Sequence, residues 1–248
     1  MNDPAADQPP NPPPAPAAPG DGRTQFQVDR LAFFSDAVFA IAITLLALNI
    51  HAPSFSRGGP PAERDLAVAV AWMVPRILGF VLSFLVIGTY WRAHHRLFRW
   101  VRGYDGSLVQ INLLLLLAVS FIPAPTGFYS DYPDYRTPLI FYAASLAVVG
   151  VMNHLLWRYL IRHPELLDPA TPLLEMRLGA GRSLVIPASC ALAISLSFVD
   201  GWLARAALLS IPLWLRVYTR LTHRLAYPRA VSLATAPMPP PPSPGSSA

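Results

Sequence analysis

Six runs of roughly 20 mostly apolar residues, joined by connections that carry nearly all of the charge, leave this chain one way to satisfy its backbone. In hydrocarbon every N–H and C=O must be paired within the chain, and runs of this length achieve that as helices rather than strands. The runs fall at 31–50, 74–97, 107–127, 138–160, 181–199 and 202–220. The second has room to begin near Asp65, since the residues ahead of Pro75 are also apolar, with Pro75 kinking or starting it. Pro123 and Pro125 interrupt the third late. Only Asp200-Gly201 separates the last two, which predicts a tight antiparallel pair. The expected fold class is an all-α membrane protein with six transmembrane helices.

Composition agrees. Hydrophobic residues make up 53% and charged residues 13% of the chain, with a mean hydropathy of +0.39. There is no lysine; all 19 basic residues are arginine, and the net charge is +5. Those arginines sit between the apolar runs rather than on one polar domain, which argues against nucleic acid as a partner. With the amino terminus in the cytoplasm, fourteen of them fall on inner segments and only Arg57, Arg64, Arg136 and Arg205 on outer ones. Arg76 lies near the outer end of the second run, where it is placed to snorkel. Arginine-rich loops stay inside, so both termini are expected to be cytoplasmic and the protein multi-pass in the cell membrane.

Residues 1–24 are rich in Pro and Ala, lack the features of a secretory leader, and are expected to be disordered. The Pro/Ser-rich segment 228–248 reads the same way, leaving 25–227 as the transmembrane domain. Cys190 stands alone in an apolar run, so packing is its expected role.

The first run carries a carboxylate: Arg30-Leu-Ala-Phe-Phe34-Ser35-Asp36 leads into Ala-Val-Phe-Ala-Ile41-Ala-Ile-Thr44-Leu45-Leu-Ala-Leu48. An ionisable group there costs about 2.5–3.5 kcal/mol on insertion scales and needs a partner. At about 100° per residue, Ile41, Leu45, Leu48 and Phe34 form one stripe with Thr44 at its margin. Asp36 and Ser35 fall on the back, and Ala32 and Ala47 also lie towards that rear. Periodicity alone leaves open whether the stripe touches lipid, another helix or a pore.

A second polar cluster, Tyr90-Trp91-Arg92-Ala-His94-His95-Arg96, ends the second run. Trp91 and His94 share one face at i, i+3 and approach from the membrane side where Asp36 enters. Their ring N–H groups are natural donors to that carboxylate, and Asn112 is placed to join them. The cluster reads either as a structural network or as a pH-sensitive element. Phosphate-binding loops, a zinc His-Glu-x-x-His helix and a Gly-x-Ser-x-Gly elbow are missing, so no enzyme, cofactor or fixed metal site is expected.

The Arg30-x-x-x-Phe34-Ser35-Asp36 motif, the Tyr90-Trp91-Arg-Ala-His94-His95 stretch, and Asn112 followed by a leucine run and Pro123 together resemble the bacterial branch of the transmembrane protein 175 family of potassium channels. The resemblance runs from about Arg30 to Pro125. It implies a homotetramer whose first helices line a central pore, closed by apolar side chains instead of a carbonyl filter. On this chain the apolar layers are Ile41, Leu45 and Leu48 and the threonine layer is Thr44, with permeant potassium passing near Ile41, Thr44 and Leu45. Arg30, Ser35, Asp36, Trp91, His94 and Asn112 match the family's interhelical network. The expected function is a potassium-preferring cation channel with a hydrophobic constriction. The alternatives are a proton-coupled secondary transporter using Asp36 and His94 as a relay, and a non-conducting membrane scaffold.

Overall fold

Prolines set the internal breaks of this all-helical chain. The computed structural model describes residues 19–51 and 62–226. Helix α1 (Pro19–Leu45) tightens into a 3₁₀ turn at Leu46–Asn49, and α2 (Glu63–Phe98) is a single helix of 36 residues. Then come α3 (Gly106–Phe121), α4 (Pro123–Asp131), α5 (Arg136–Arg162), α6 (Leu173–Ser183), α7 (Val185–Leu196), α8 (Gly201–Leu209) and α9 (Ile211–Ala226). The breaks at Ile122, Leu184 and Ser210 each lie one to three residues ahead of Pro123, Pro187 or Pro212. A proline has no N–H to return to the carbonyl four residues back. All three junction residues keep right-handed helical backbone, so the helices are interrupted without reversing. Pro75 lies inside α2 without ending it.

Five helical units among the described residues are long and apolar enough to cross a membrane: Thr24–Asn49, Glu63–Phe98, Gly106–Asp131, Arg136–Arg162 and Leu173–Leu196. They coincide with the first five expected runs, the first, second and fifth starting earlier than the densest apolar stretch suggested. The sixth run is helical over α8 and α9 but is not one of those five, because Arg205, Arg216 and Arg220 dilute its apolar character. Asp200 caps α8, its carboxylate accepting from the backbone of Trp202 at 2.7 Å and Leu203 at 3.0 Å. Helix α1 begins at Pro19, inside the segment 1–24 read as disordered; residues 1–18 and the tail 228–248 lie outside the described residues.

Helix α5 is the hub, packing against α3, α4, α6 and α7, while α1 lies on α2 and α3. The core between them holds Phe39, Leu46, Ile87, Leu115, Tyr142, Leu146 and Leu156, all essentially sealed from solvent. A directed hydrogen-bond chain crosses this core. Thr126 donates to the Ile122 carbonyl at 2.8 Å, which leaves Ser83 to donate to Thr126 at 2.9 Å and Tyr142 to donate to Ser83 at 2.8 Å. It ties α2, α4 and α5 together where no water is at hand.

Candidate functional site

One face of α1 is packed and the other is bare. Phe39, Ala42 and Leu46 are buried against α2 and α3, whereas Ile41, Leu45 and Leu48 are 58%, 40% and 74% exposed. Phe33 and Phe34 continue the bare stripe towards the amino-terminal end. Thr44 lies on it too, its hydroxyl donating to the Ile41 carbonyl at 2.9 Å, which leaves the oxygen's lone pairs outward. The 3₁₀ turn changes the register expected from an ideal α-helix. In 3₁₀ geometry residues three apart eclipse, so Leu48 stands over Leu45 rather than to one side of it. The same tightening turns Ala47 outward; it is exposed, not on the rear as the simple wheel had it.

The packed side carries the polar network. The Trp91 indole N–H donates to Asp36 Oδ1 at 2.8 Å. Beside it, His94 Nε2–H donates to Asn112 Oδ1 at 2.9 Å, Asn112 Nδ2 donates to Ser35 Oγ at 2.9 Å, and Ser35 Oγ donates to the Leu31 carbonyl at 2.8 Å. Ser35, His94 and Asn112 are all buried, and His94 is clasped between Phe39 and Phe98 with ring centroids at 5.6 and 4.3 Å. The network thus joins α1, α2 and α3. His94 was expected to share Asp36 with Trp91. Instead it serves Asn112, because its ring points into the three-helix seam while the carboxylate sits at the seam's edge. Arg30 stands apart: it is exposed, with its guanidinium 6.0 Å over the Phe26 ring.

Both ends of this helix assembly are pinned by contacts that periodicity does not reveal. At the carboxyl end of α1, Asn49 Nδ2 donates to the Pro123 carbonyl at 2.8 Å, and Gly127 leaves the room, since a Cβ there would meet Asn49 Oδ1 at 2.6 Å. Nearby, Arg76 grips Asp131 at 2.9 Å and the His51 carbonyl at 3.3 Å. Its side chain is only 16% exposed, so it is an ion-pair partner rather than a free snorkelling group.

At the opposite end the α2–α3 loop crosses the α5–α6 loop. Val101 and Leu167 form a β-bridge, and Arg102 pairs with Asp168 at 2.9 Å and reaches Gln25 of α1 at 3.4 Å. Asp105 caps α3 by accepting from the Leu108 N–H at 2.8 Å and also accepts from the Tyr159 hydroxyl. The Tyr159 bond, then the Leu108 bond, hold the Asp105 carboxyl below its usual value. The Ala170 N–H, then Arg102, do the same for Asp168. The Asp105-Gly106-Ser107 pattern at the start of an apolar run was a readable cap signal; the Tyr159 and Asp168 partnerships were not.

Residues 30–123, the segment that contains the stripe and the network, match the family model described as the endosomal/lysosomal potassium channel TMEM175. A potassium channel of Streptomyces collinus is 33% identical over 182 residues, covering 72% of this chain and 86% of that protein. The chain belongs to the TMEM175 family. The crystal structure of a lysosomal potassium-selective channel TMEM175 homolog from Chamaesiphon minutus superposes with a TM-score of 0.65 at 27% identity, over 78% of this chain and 98% of that one. The human endosomal/lysosomal proton channel TMEM175 is 28% identical over 140 residues, 56% of this chain but 27% of that protein. Membership makes this a membrane-embedded chain of a channel family, not an enzyme class.

Proposed function

We propose that this protein is a potassium-preferring cation channel of the cytoplasmic membrane, assembled from four copies around a pore lined by α1. The observation that carries the reading is the bare apolar face of α1. A helix packed on one side by its own subunit, through a buried polar network, has its other side free for an axis of symmetry. Cyclic closure around that axis encloses a path that a lone α1 cannot. The bacterial relatives' names as potassium channels support the ion.

In this reading each copy contributes six spans with both termini in the cytoplasm, supported by the arginine asymmetry, and residues 25–227 form the channel domain. Ile41, Leu45 and Leu48 form stacked apolar rings with Thr44 among them. An ion crossing them sheds water with little compensation, so the rings act as hydrophobic gate and slow filter. Thr44 offers a nearby oxygen to potassium in transit. Ser35, Asp36, Trp91, His94 and Asn112 hold α1 in rotation, and Arg30 anchors it at the cytoplasmic edge.

The test is cation flux into liposomes containing the purified protein, comparing potassium, sodium and a large organic cation, with oligomer mass measured in the same detergent. Passive potassium flux exceeding sodium flux, from a tetramer, is expected; flux carried by a monomer overturns the reading. The transporter alternative requires saturable, proton-gradient-driven movement. Its relay has less support, because Asp36 and His94 are bonded to different partners.

A further inference from the structure

At the end of the bundle that holds Arg102, a cleft of about 270 Å³ opens between α6, the middle of α9 and the carboxyl-terminal parts of α2 and α5. Arg96, Arg99, Trp157, Glu175, Arg182 and Tyr218 line it, and a void of about 20 Å³ behind it is walled by Arg96, Trp157, Arg182 and Asn153. Three guanidinium groups therefore face one carboxylate, an excess of two positive charges. Among the described residues, none of Arg92, Arg96, Arg99 and Arg182 lies within ion-pair distance of an acid. They act on one another instead: Arg92 and Arg99 repel Arg96, and Arg96 and Arg92 repel Arg182, with Glu175 offsetting only part of this.

Topology alone asks for arginines at this end, but it asks for them in water. Here two donors are sealed. Arg96 Nε and the indole Nε1 of Trp157 are inaccessible to solvent and have no hydrogen-bond partner, and Trp157 as a whole is 5% exposed. The ring reaches this place because residue 179 is glycine; a Cβ there would collide with it. Guanidinium and indole nitrogens donate and never accept. The cleft also holds acceptors, the Glu175 carboxylate and the unpartnered Asn153 Oδ1 of the void behind it, but its net charge is positive, and with its unpaired N–H groups it is complementary to an anion rich in acceptor oxygens. Its volume falls below the usual range for drug-sized ligands, which favours a compact headgroup. Its place at the edge of apolar helices, beside Trp100 and Tyr218, is where acidic lipid phosphates lie.

We infer that this cleft binds a phosphate-bearing anion, held by the Arg96 and Arg182 forks. The source is either a lipid headgroup or soluble phosphate. The experiment measures thermal unfolding of the full-length protein in two arms. One titrates inorganic phosphate against chloride at matched ionic strength, in neutral detergent. The other compares nanodiscs of phosphatidylcholine with increasing fractions of phosphatidic acid. A saturable rise of roughly 5 °C in the first arm assigns the site to soluble phosphate, and a rise confined to the second assigns it to a lipid headgroup. In either case Arg96→Gln and Arg182→Gln weaken the half-saturating concentration about tenfold, the loss of one charge-assisted contact. Arg136→Gln, at the other end of the molecule, leaves it unchanged. Where a glutamine variant fails to fold, Arg182→Lys, which keeps the charge and loses the fork, replaces it with a smaller loss expected. No rise beyond matched chloride in either arm, or the same rise in every variant, overturns the inference.

Discussion

The Trp91 indole N–H donates to Asp36 Oδ1 across 2.8 Å, joining α2 to the one carboxylate in the apolar part of α1. The bond leaves α1 no freedom to rotate about its axis without stranding an acid. That rotation decides which side chains lie on the bare face.

Removing the donor should therefore hurt more than neutralising the acceptor. Trp91→Phe keeps the ring and deletes the N–H; a loss of about 1 kcal/mol is expected, tempered by partial exposure of the pair. Asp36→Asn retains an oxygen for the same bond and should lose less. Thermal denaturation of the solubilised protein ranks the two. An Asp36→Asn protein of unchanged stability but abolished selectivity would put the carboxylate on the ion path and refute this rotation.

Asn112 is the joint of the buried seam, accepting a hydrogen bond from His94 and donating one to Ser35. Asn112→Leu strands the buried donor of His94, at about 1–3 kcal/mol. Ser35→Ala should cost less, since the serine hydroxyl also satisfies itself on its own helix through the Leu31 carbonyl. A double-mutant cycle of Asn112→Leu with Ser35→Ala should show non-additivity of at least about 0.5 kcal/mol. Strict additivity would mean that the seam does not act as a unit.

On the bare face, Ile41→Asn should set polar groups into the proposed constriction and change the potassium-to-sodium flux ratio by about tenfold, roughly 1.4 kcal/mol. Leu192→Ala, at an exposed position of α7, should leave the ratio where it was. Identical ratios in wild type and a folded, conducting Ile41→Asn would remove Ile41 from the pore.

The loop clasp predicts an acid limit. Asp105 and Asp168 have carboxyls lowered from an ordinary value of 3.8 by hydrogen bonds made only in the folded state. Each contributes stability that is complete above that value and is lost as pH falls through the lower, folded-state one. Melting temperature should hold above about pH 4 and drop below it. Asp105→Asn should flatten part of that drop, and an equally steep drop in the variant would place the acid sensitivity elsewhere.

The sequence by itself determined whatever depends on period and length. Apolar runs the width of a bilayer can only be helices, and the 3.6-residue repeat puts Ile41 and Leu45 on one side of α1 and Asp36 on the other. The i, i+3 spacing of Trp91 and His94 placed both near that acid, and the motifs from Arg30 to Pro123 carried the family. Tertiary structure decided the rest. Whether a ring N–H meets Asp36 or Asn112 depends on how three helices are rotated against each other, which no single helix encodes. Leu48 and Ala47 shifted because Asn49 is drawn to the Pro123 carbonyl and the last turn winds as 3₁₀. The Asp105–Tyr159 and Arg102–Asp168 contacts join residues more than 50 positions apart. Periodicity reports the face a side chain occupies, and only packing brings a partner to it.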